Sequence, residues 1–212
     1  ARIATEIVLG KRLEQCGLKR KNIPYFGVKE AVFPFSMYPE VDPVLGPEMR
    51  STGEVLGLAD TAGMAFFKSQ EAAKQPLPLE GTVLVTVSNR DKEDILDAVR
   101  GFRDLGFKIR ATGGTTRFLK ENGVEAESIL KVHQGRPNIV DAIMNGEIQL
   151  VINTPAGKKS EYDDSYIRKA AIRYGVSYIT TTAAATAAVE GIRQRRNGAY
   201  TVKSLQDYHR DI

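Results

Sequence analysis

Ala111-Thr112-Gly113-Gly114-Thr115-Thr116 joins a predicted strand to a predicted helix. The apolar run before it, residues 107–111, is typical of a strand, and residues 116–123 are typical of a helix that ends at a glycine. A helix N-terminus leaves backbone N–H groups without partners, glycines allow close approach, and threonine hydroxyls add donors. The stretch therefore indicates an anion site, although a strand-to-helix turn without a ligand fits these residues equally well.

The residues around this stretch alternate between strand and helix patterns. The helix that follows the first of these strands has its apolar residues on one face, from Ile95 to Leu105. Apolar strands joined by helices favour a parallel sheet that helices cover. We therefore predict an α/β fold, a Rossmann-like, doubly wound sheet of five parallel strands. Its predicted strands are residues 81–87, 107–111, 126–132, 148–153 and 176–180.

The N-terminal part of the chain has shorter elements and more loops. Residues 2–16 have a helical pattern, residues 25–35 fit one or two strands, and residues 38–50 are rich in Pro and Gly. A strand at 51–57 and a helix at 62–73 follow. Pro76 and Pro78 then separate this part from the regular one. We therefore predict two parts, a smaller mixed α/β segment at 1–75 and a domain at 79–212.

Composition argues against several classes of protein. The chain has 30 Lys plus Arg and 26 Asp plus Glu, a net charge of +4 that does not call for nucleic acid. One cysteine and two histidines exclude an internal disulfide and a Cys- or His-rich metal site. No apolar run approaches the length of a membrane span. The chain starts without Met inside a helical pattern, as an excised piece would, and we expect a cytoplasmic protein.

Polar residues follow each predicted strand of the five-stranded sheet. Ligands of open parallel sheets bind at the carboxyl ends of the strands, so these residues are expected to share one edge. Lysines and threonines there suit a phosphate monoester, although each alone fits a solvated side chain, a helix cap or a turn. His133 is expected to be a loop histidine with a structural hydrogen bond. The edge residues are Ser88, Asn89, Lys92, Thr112, Thr115, Thr116, Lys131, Arg136, Asn153, Thr154, Lys158, Lys159, Thr180, Thr181 and Thr182.

Several longer runs resemble one known family. The run from Gly46 to Val55, GPEMRSTGEV, preceded by KEAVFPF at 29–35, is similar to the end of the second synthetase domain in the large subunit of carbamoyl phosphate synthetase. The runs DKE at 91–93, ATGGT at 111–115, KVHQGRP at 131–137 and INT at 152–154 resemble, in order, the allosteric domain of that subunit. The resemblance implies a methylglyoxal-synthase-like fold for 79–212 and the end of an ATP-grasp domain for 1–75.

In bacterial members of this family, the allosteric domain binds nucleoside monophosphates such as UMP, an inhibitor, and IMP. The resemblance implies that Asn153 contacts the nucleoside. Pro155 stands where the family often has Thr, which leaves the choice of nucleotide open. The resemblance also implies that Glu54 and Thr180 contact ornithine, an activator. The effector's phosphate would be held by Lys92, Thr112, Thr115 and Lys131.

The resemblance further implies that the chain is a fragment of an ATP- and Mg²⁺-dependent ligase. That ligase makes carbamoyl phosphate from bicarbonate, glutamine and ATP for pyrimidine and arginine biosynthesis. It has a small glutamine amidotransferase subunit and self-associates through the allosteric domain. We expect no catalytic residue, cofactor or metal in the fragment itself, because the ATP-grasp core lies outside it.

An enzymatic alternative uses the same fold. Methylglyoxal synthase eliminates phosphate from dihydroxyacetone phosphate and needs a carboxylate base. In that family a Gly-Asp pair after the third strand supplies it, whereas this chain has Gly135-Arg136-Pro137. The family's His-Asp-Lys-Lys pattern is replaced by Asn89-Arg90-Asp91-Lys92. These departures favour effector binding over chemistry.

Overall fold

The computed structural model describes residues 1–19, 22–32, 53–154, 161–198, 200–210 and 212. Within them the helices are α1 (Arg2–Val8), α2 (Ala62–Ala72), α3 (Lys92–Asp104), α4 (Gly113–Glu121), α5 (Ile139–Met144), α6 (Glu161–Arg173), α7 (Thr182–Arg196) and α8 (Leu205–Arg210). The strands are β1 (Phe26–Val32), β2 (Gly53–Ala59), β3 (Thr82–Thr86), β4 (Lys108–Thr112), β5 (Glu127–Ile129), β6 (Leu150–Asn153) and β7 (Ser177–Ile179).

Five of these strands form one parallel sheet in the order β5-β4-β3-β6-β7. Successive residues of a strand point to opposite faces. Val83 and Val85 accordingly belong to an apolar cluster with α3, α4 and α7, whereas Leu84 belongs to a second cluster with α5 and α6. Helices thus cover both faces of the sheet. The predicted α/β fold with a doubly wound, five-stranded parallel sheet is confirmed.

The strand order reverses at β3. From β3 the chain adds β4 and β5 on one side, and it then returns to add β6 and β7 on the other. A crevice opens outside the carboxyl ends of two neighbouring parallel strands when the connections that follow them run to opposite sides of the sheet. The ends of β3 and β6 flank such a point here, and β4 lies directly beside it.

The other two strands form an antiparallel pair, β1 with β2, that packs on α2. Helix α2 in turn packs on α7, and residues 25–201 form one compact unit. Residues 1–24 and 202–212 form a second compact unit. We predicted two parts of different evolutionary origin, residues 1–75 and 79–212. Packing within the structure does not test their origin, so this boundary stays a prediction.

The extents of two elements differ from those predicted. The helix pattern at 2–16 gives only α1 and a 3-10 turn at Leu13–Cys16, because Gly10 has φ +102° and helical geometry cannot continue through it. The strand predicted at 126–132 ends at Ile129, since Leu130 instead bridges to Asn138. The loop predicted at 38–50 lies outside the described residues.

Candidate functional site

The central stretch of the sequence forms the start of α4, directly after β4. Thr112 is the N-cap with φ −75° and ψ 150°, and the exposed Gly113 and Gly114 form the first turn. Thr112 and Thr115 are 3% and 2% exposed. Thr116 Oγ1 donates to the Ala111 carbonyl at 2.7 Å, which fixes the turn. No acidic residue lies in this first turn, so the positive end of the helix and its N–H groups remain for an anion.

Lys92 lies over this turn. It is the first residue of α3, and its Nζ donates to the Gly114 carbonyl at 3.0 Å. The same Nζ lies 5.9 Å from the centre of the Phe118 ring. An ammonium group has three donors, so a single bond to Gly114 leaves others for a ligand. The predicted partnership of Lys92 with the start of α4 is thus present in the geometry.

Hydrogen bonds tie together the carboxyl ends of β3, β4 and β6. Thr112 Oγ1 lies 3.3 Å from Thr86 Oγ1, and the Thr154 N–H donates to the Thr86 carbonyl at 3.2 Å. The Ser88 N–H donates to Thr154 Oγ1 at 3.0 Å, and Ser88 Oγ donates to Asp91 Oδ2 at 2.6 Å. These bonds hold the start of α3, and with it Lys92, against the crevice.

The Asp91 carboxylate is the anchor of this network. Hydrogen bonds from Ser88 and then Thr154 lower the pKa of Asp91 below its ordinary value. Because the folded-state pKa is lowered, the stability that Asp91 contributes is present above its unfolded pKa and is lost as pH falls through the folded pKa. We expect Ser88→Ala to bring the Asp91 pKa back towards its ordinary value, as measured by carboxyl NMR titration. An unchanged Asp91 pKa in this variant would contradict the network.

A small cavity of about 30 Å³ lies beside this network, with room for about one water molecule. Lys131 and Asn153, both predicted site residues, line it. Asn153 is 2% exposed, and its Nδ2 lies 3.0 Å from Asp164 Oδ1 and 2.6 Å from the Tyr178 hydroxyl. The full lining is Thr86, Val87, Lys131, Asn153, Thr154, Asp163, Asp164 and Ile167.

Two acidic residues of α6, Asp163 and Asp164, face this cavity and were not predicted. Asp163 is buried, and its Oδ2 pairs with His133 Nδ1 at 2.6 Å. Asp163 Oδ1 has no hydrogen-bond partner within the described part of the chain. His133 therefore makes the structural hydrogen bond expected of it. In this fold the helix starts lie at the same edge of the sheet as the strand ends. The acidic pair at the start of the helix after β6 was therefore the sequence signal that could have identified these two cavity residues.

The predicted site residues thus fall into several groups. Lys92, Thr112 and Thr115 lie at the start of α4, whereas Lys131 and Asn153 lie at the cavity. Thr86 links the two places, because it contacts Thr112 and lines the cavity. Two residues of the predicted edge, Lys158 and Lys159, lie outside the described residues, as does Pro155.

Some residues of the predicted edge serve local roles. Arg136 forms an ion pair with Asp141 on the exposed surface, and the Thr181 hydroxyl caps α7 by accepting from the Ala184 N–H. The Arg136 guanidinium is thus engaged by Asp141, and its contribution to the anion site stays a prediction.

The two residues predicted to contact ornithine lie on different elements. Glu54 is exposed on β2 and pairs with Lys29 of β1. Gly57, three residues along, faces α2, so Glu54 belongs to the opposite face of the pair of strands. Thr180 is exposed and lies just before α7. Their joint role stays a prediction.

Within the described ranges, a metal-binding cluster and a membrane-spanning helix are both absent. No three or more His, Cys, Asp or Glu side chains are grouped as metal ligands. None of the described helices is both long and apolar enough to span a membrane.

A domain family and several full-length relatives match this chain. The model of the MGS-like domain matches residues 94–180. The carbamoyl phosphate synthase large chain of Archaeoglobus fulgidus is 51% identical over 100% of this chain and 20% of its own length. That of Gemmatimonas aurantiaca is 51% identical over 98% of this chain and 19% of its own length.

A third relative is the carbamoyl phosphate synthase large chain, C-terminal section, of Methanopyrus kandleri. It is 48% identical over 99% of this chain and 40% of its own length. The chain thus spans about a fifth of the length of the whole large chains that it matches. The chain carries an MGS-like domain and, over its whole length, is homologous to the C-terminal part of the carbamoyl phosphate synthase large chain.

Proposed function

We propose that this chain is the regulatory, effector-binding part of a carbamoyl phosphate synthase large chain, and that it binds a nucleoside monophosphate such as UMP or IMP. The observation that carries the proposal is the position of Lys92 over the first turn of α4. Its ammonium group, the N–H groups of that turn and the Thr112 and Thr115 hydroxyls are the donors that a phosphate monoester needs.

The roles proposed for Lys131 and Asn153 follow from their position at the small cavity. Lys131 and Asn153 line the cavity together with Thr86, whose hydroxyl contacts that of Thr112. In the proposed complex Lys131 adds positive charge to the phosphate site, and Asn153 contacts the nucleoside. The cavity has room for about one water molecule only, so in the proposed complex the nucleotide lies along the open edge of the sheet.

We further propose an ornithine contact and a place for this chain in a larger enzyme. Glu54 offers a carboxylate to the ornithine amine, and Thr180 is the second proposed contact. In the whole protein, the domains before this one use ATP and Mg²⁺ and work with a small glutamine amidotransferase chain in the cytoplasm. Their product serves pyrimidine and arginine biosynthesis, and this part of the chain adds regulation and a surface for self-association.

Calorimetric titration of the folded chain with UMP, IMP and ornithine tests the proposal. We expect saturable heat with UMP or IMP at one site per chain. Inosine and uridine, which lack the phosphate, are the matched control ligands and are expected to give no heat at the same concentrations. Absence of heat with both nucleotides, in a sample that unfolds cooperatively, would reject the regulatory assignment.

The enzymatic alternative, methylglyoxal synthase, has one observation in its favour. Asp163 is a buried carboxylate next to His133 at the cavity, although the residues after β5 supply no acid. The Asp163 carboxylate is tied to His133, so we expect no phosphate release from dihydroxyacetone phosphate. Turnover that Asp163→Asn abolishes would replace the regulatory proposal with this one.

A further inference from the structure

Helices α2 and α7 meet through two glycines. A Cβ atom at Gly191 of α7 would lie 2.6 Å from the Gly63 carbonyl oxygen and 3.0 Å from Phe67 Cβ of α2. A Cβ atom at Gly63 would lie 2.6 Å from Glu190 Cγ. These distances are shorter than van der Waals contact, so a larger residue at either position would push the helices apart. The two helix backbones are therefore in direct contact here.

The same kind of close contact continues on both sides of this helix pair. A Cβ atom at Gly101 of α3 would lie 2.6 Å from Val189 Cγ1 of α7. One at Gly57 of β2 would lie 2.0 Å from the Ala65 carbonyl oxygen of α2. The contacts join β2, α2, α7 and α3 in that order, and we call these four elements the glycine column. Because closely packed interiors transmit strain, a shift of one element displaces the next.

Polar and aromatic contacts fix the position of α2 along α7. Thr61, the N-cap of α2, donates from its hydroxyl to Gln194 Oε1 of α7. The Tyr200 ring, just after α7, lies 4.7 Å from the Arg195 guanidinium carbon and 5.4 Å from Lys68 Nζ of α2. These contacts oppose sliding of one helix along the other.

The segment between α2 and β3 is also tied to the rest of the domain. Ser177 Oγ of β7 donates to the Pro76 carbonyl at 2.9 Å, and Leu77 is buried in the apolar cluster under α3 and α7. Arg196 of α7 donates to the Leu79 carbonyl. Although two prolines mark this segment in the sequence, it is anchored at three points and does not form a free hinge.

The two ends of the glycine column have different surroundings. Helix α3 begins with Lys92, whose Nζ lies over the start of α4, whereas β2 pairs with β1 in the smaller N-terminal segment. We propose that the glycine column joins the phosphate site at Lys92 to β1 and β2 as one cooperative unit, so that an occupied site stabilises both strands. This inference rests on the proposed function and adds the route by which the site reaches residues 25–75.

Amide hydrogen exchange of the full chain, with and without UMP or IMP, tests this link. A ligand slows exchange only where opening of the backbone also destroys its site, and at 100 times its Kd the largest effect is about 100-fold. We expect the hydrogen-bonded amides of β2 to slow by about 10- to 100-fold, together with those at the start of α4. Slowing at α4 with unchanged exchange in β2 would overturn the inference while the proposed function stands.

Gly191→Ala separates the glycine column from general stabilisation by the ligand. The added methyl group pushes α2 away from α7, and Gly191 is not among the residues that form the proposed phosphate site. We expect calorimetry to give a nucleotide affinity within about 2-fold of the parent, as for independent sites, and the slowing in β2 to fall below about 3-fold. Thr186→Ala, an exposed change on the same helix, is the matched control and should behave like the parent. Slowing in β2 of Gly191→Ala equal to that of the parent would contradict the inference.

Gln194→Ala is a milder second variant. It removes the contact with Thr61 and leaves the backbone packing in place, so we expect the slowing in β2 to decrease by about 2- to 5-fold. If Gly191→Ala does not unfold cooperatively, Gln194→Ala decides, and slowing in β2 as large as in the parent would overturn the inference. Failure of the unmodified chain to bind UMP or IMP would reject both the inference and the proposed function.

Discussion

Replacing Lys92 with alanine is expected to weaken UMP or IMP binding by about 10- to 100-fold, because a hydrogen bond to a charged group contributes about 1.5–3 kcal/mol. Lys92 Nζ is placed by a bond to the Gly114 carbonyl, over a helix start that has no acid of its own. Loss of the ammonium group therefore removes a cation that lies directly over the proposed phosphate site. Calorimetry at fixed ionic strength measures the change.

Lys120→Ala is the control for this prediction. Lys120 lies on the same helix as Gly114, but it is exposed in the last turn of α4, at the end away from the site. The variant carries the same loss of charge, so general electrostatics would affect both variants alike. We expect less than a 2-fold change for Lys120→Ala, a small effect typical of distant screened charges. Equal losses in both variants would show that Lys92 acts only through net charge.

The largest effect on stability is expected for Gly57→Ala. A Cβ atom at Gly57 of β2 would lie 2.0 Å from the Ala65 carbonyl oxygen and 2.6 Å from the Ser69 nitrogen of α2. Both neighbours are backbone atoms of a helix, so the strands must move away from α2. Overpacking of this kind costs about 1–3 kcal/mol, and contact with helical backbone argues for the upper end. Urea unfolding should show the loss of unfolding free energy.

Ala31→Val is the matched control for Gly57→Ala. Ala31 lies on β1 and is exposed, so the added methyl groups meet solvent and not helix α2. Val also suits a strand better than Ala does. We expect the unfolding free energy to stay within about 0.5 kcal/mol of the parent. A Gly57→Ala variant as stable as this control would contradict the close packing of β2 on α2.

The sheet could be predicted from sequence because its strands are buried on both faces. Residues of β3 from Val83 to Val85 are all fully buried, and such a continuous apolar run is typical of a parallel sheet between helices. The turn at Thr112 to Thr115 was found from local chemistry alone, since a helix N-terminus and the residues that begin it are neighbours in sequence. Lys92 was predicted to lie near this turn because both follow strands of a parallel sheet, whose carboxyl ends share one edge.

The rest of the site depends on contacts between residues far apart in sequence. Asp163 meets His133 across 30 residues, and Asn153 meets Tyr178 across 25. No local pattern specifies these pairs, because a carboxylate or a tyrosine forms hydrogen bonds in many settings. Arg136 shows the opposite case: the sequence placed a cation at the edge, but Asp141, five residues away, engages it.

Helix α1 was overestimated for a similar physical reason. Apolar residues up to Leu13 continue a helical stripe past Gly10, and periodicity alone does not register a break in the backbone. The glycine at φ +102° stops the helix, and the following residues form a separate 3-10 turn.

Amide chemical-shift mapping by NMR tests the central claim most directly. With ¹⁵N-labelled protein and added UMP or IMP, we predict the largest saturable shifts for the N–H groups of Gly113, Gly114 and Thr115, with smaller ones around Ser88 and Asn153. Inorganic phosphate should shift the first three and leave Asn153 nearly unchanged. Saturable shifts confined to other parts of the chain, with the start of α4 unmoved, would contradict the account.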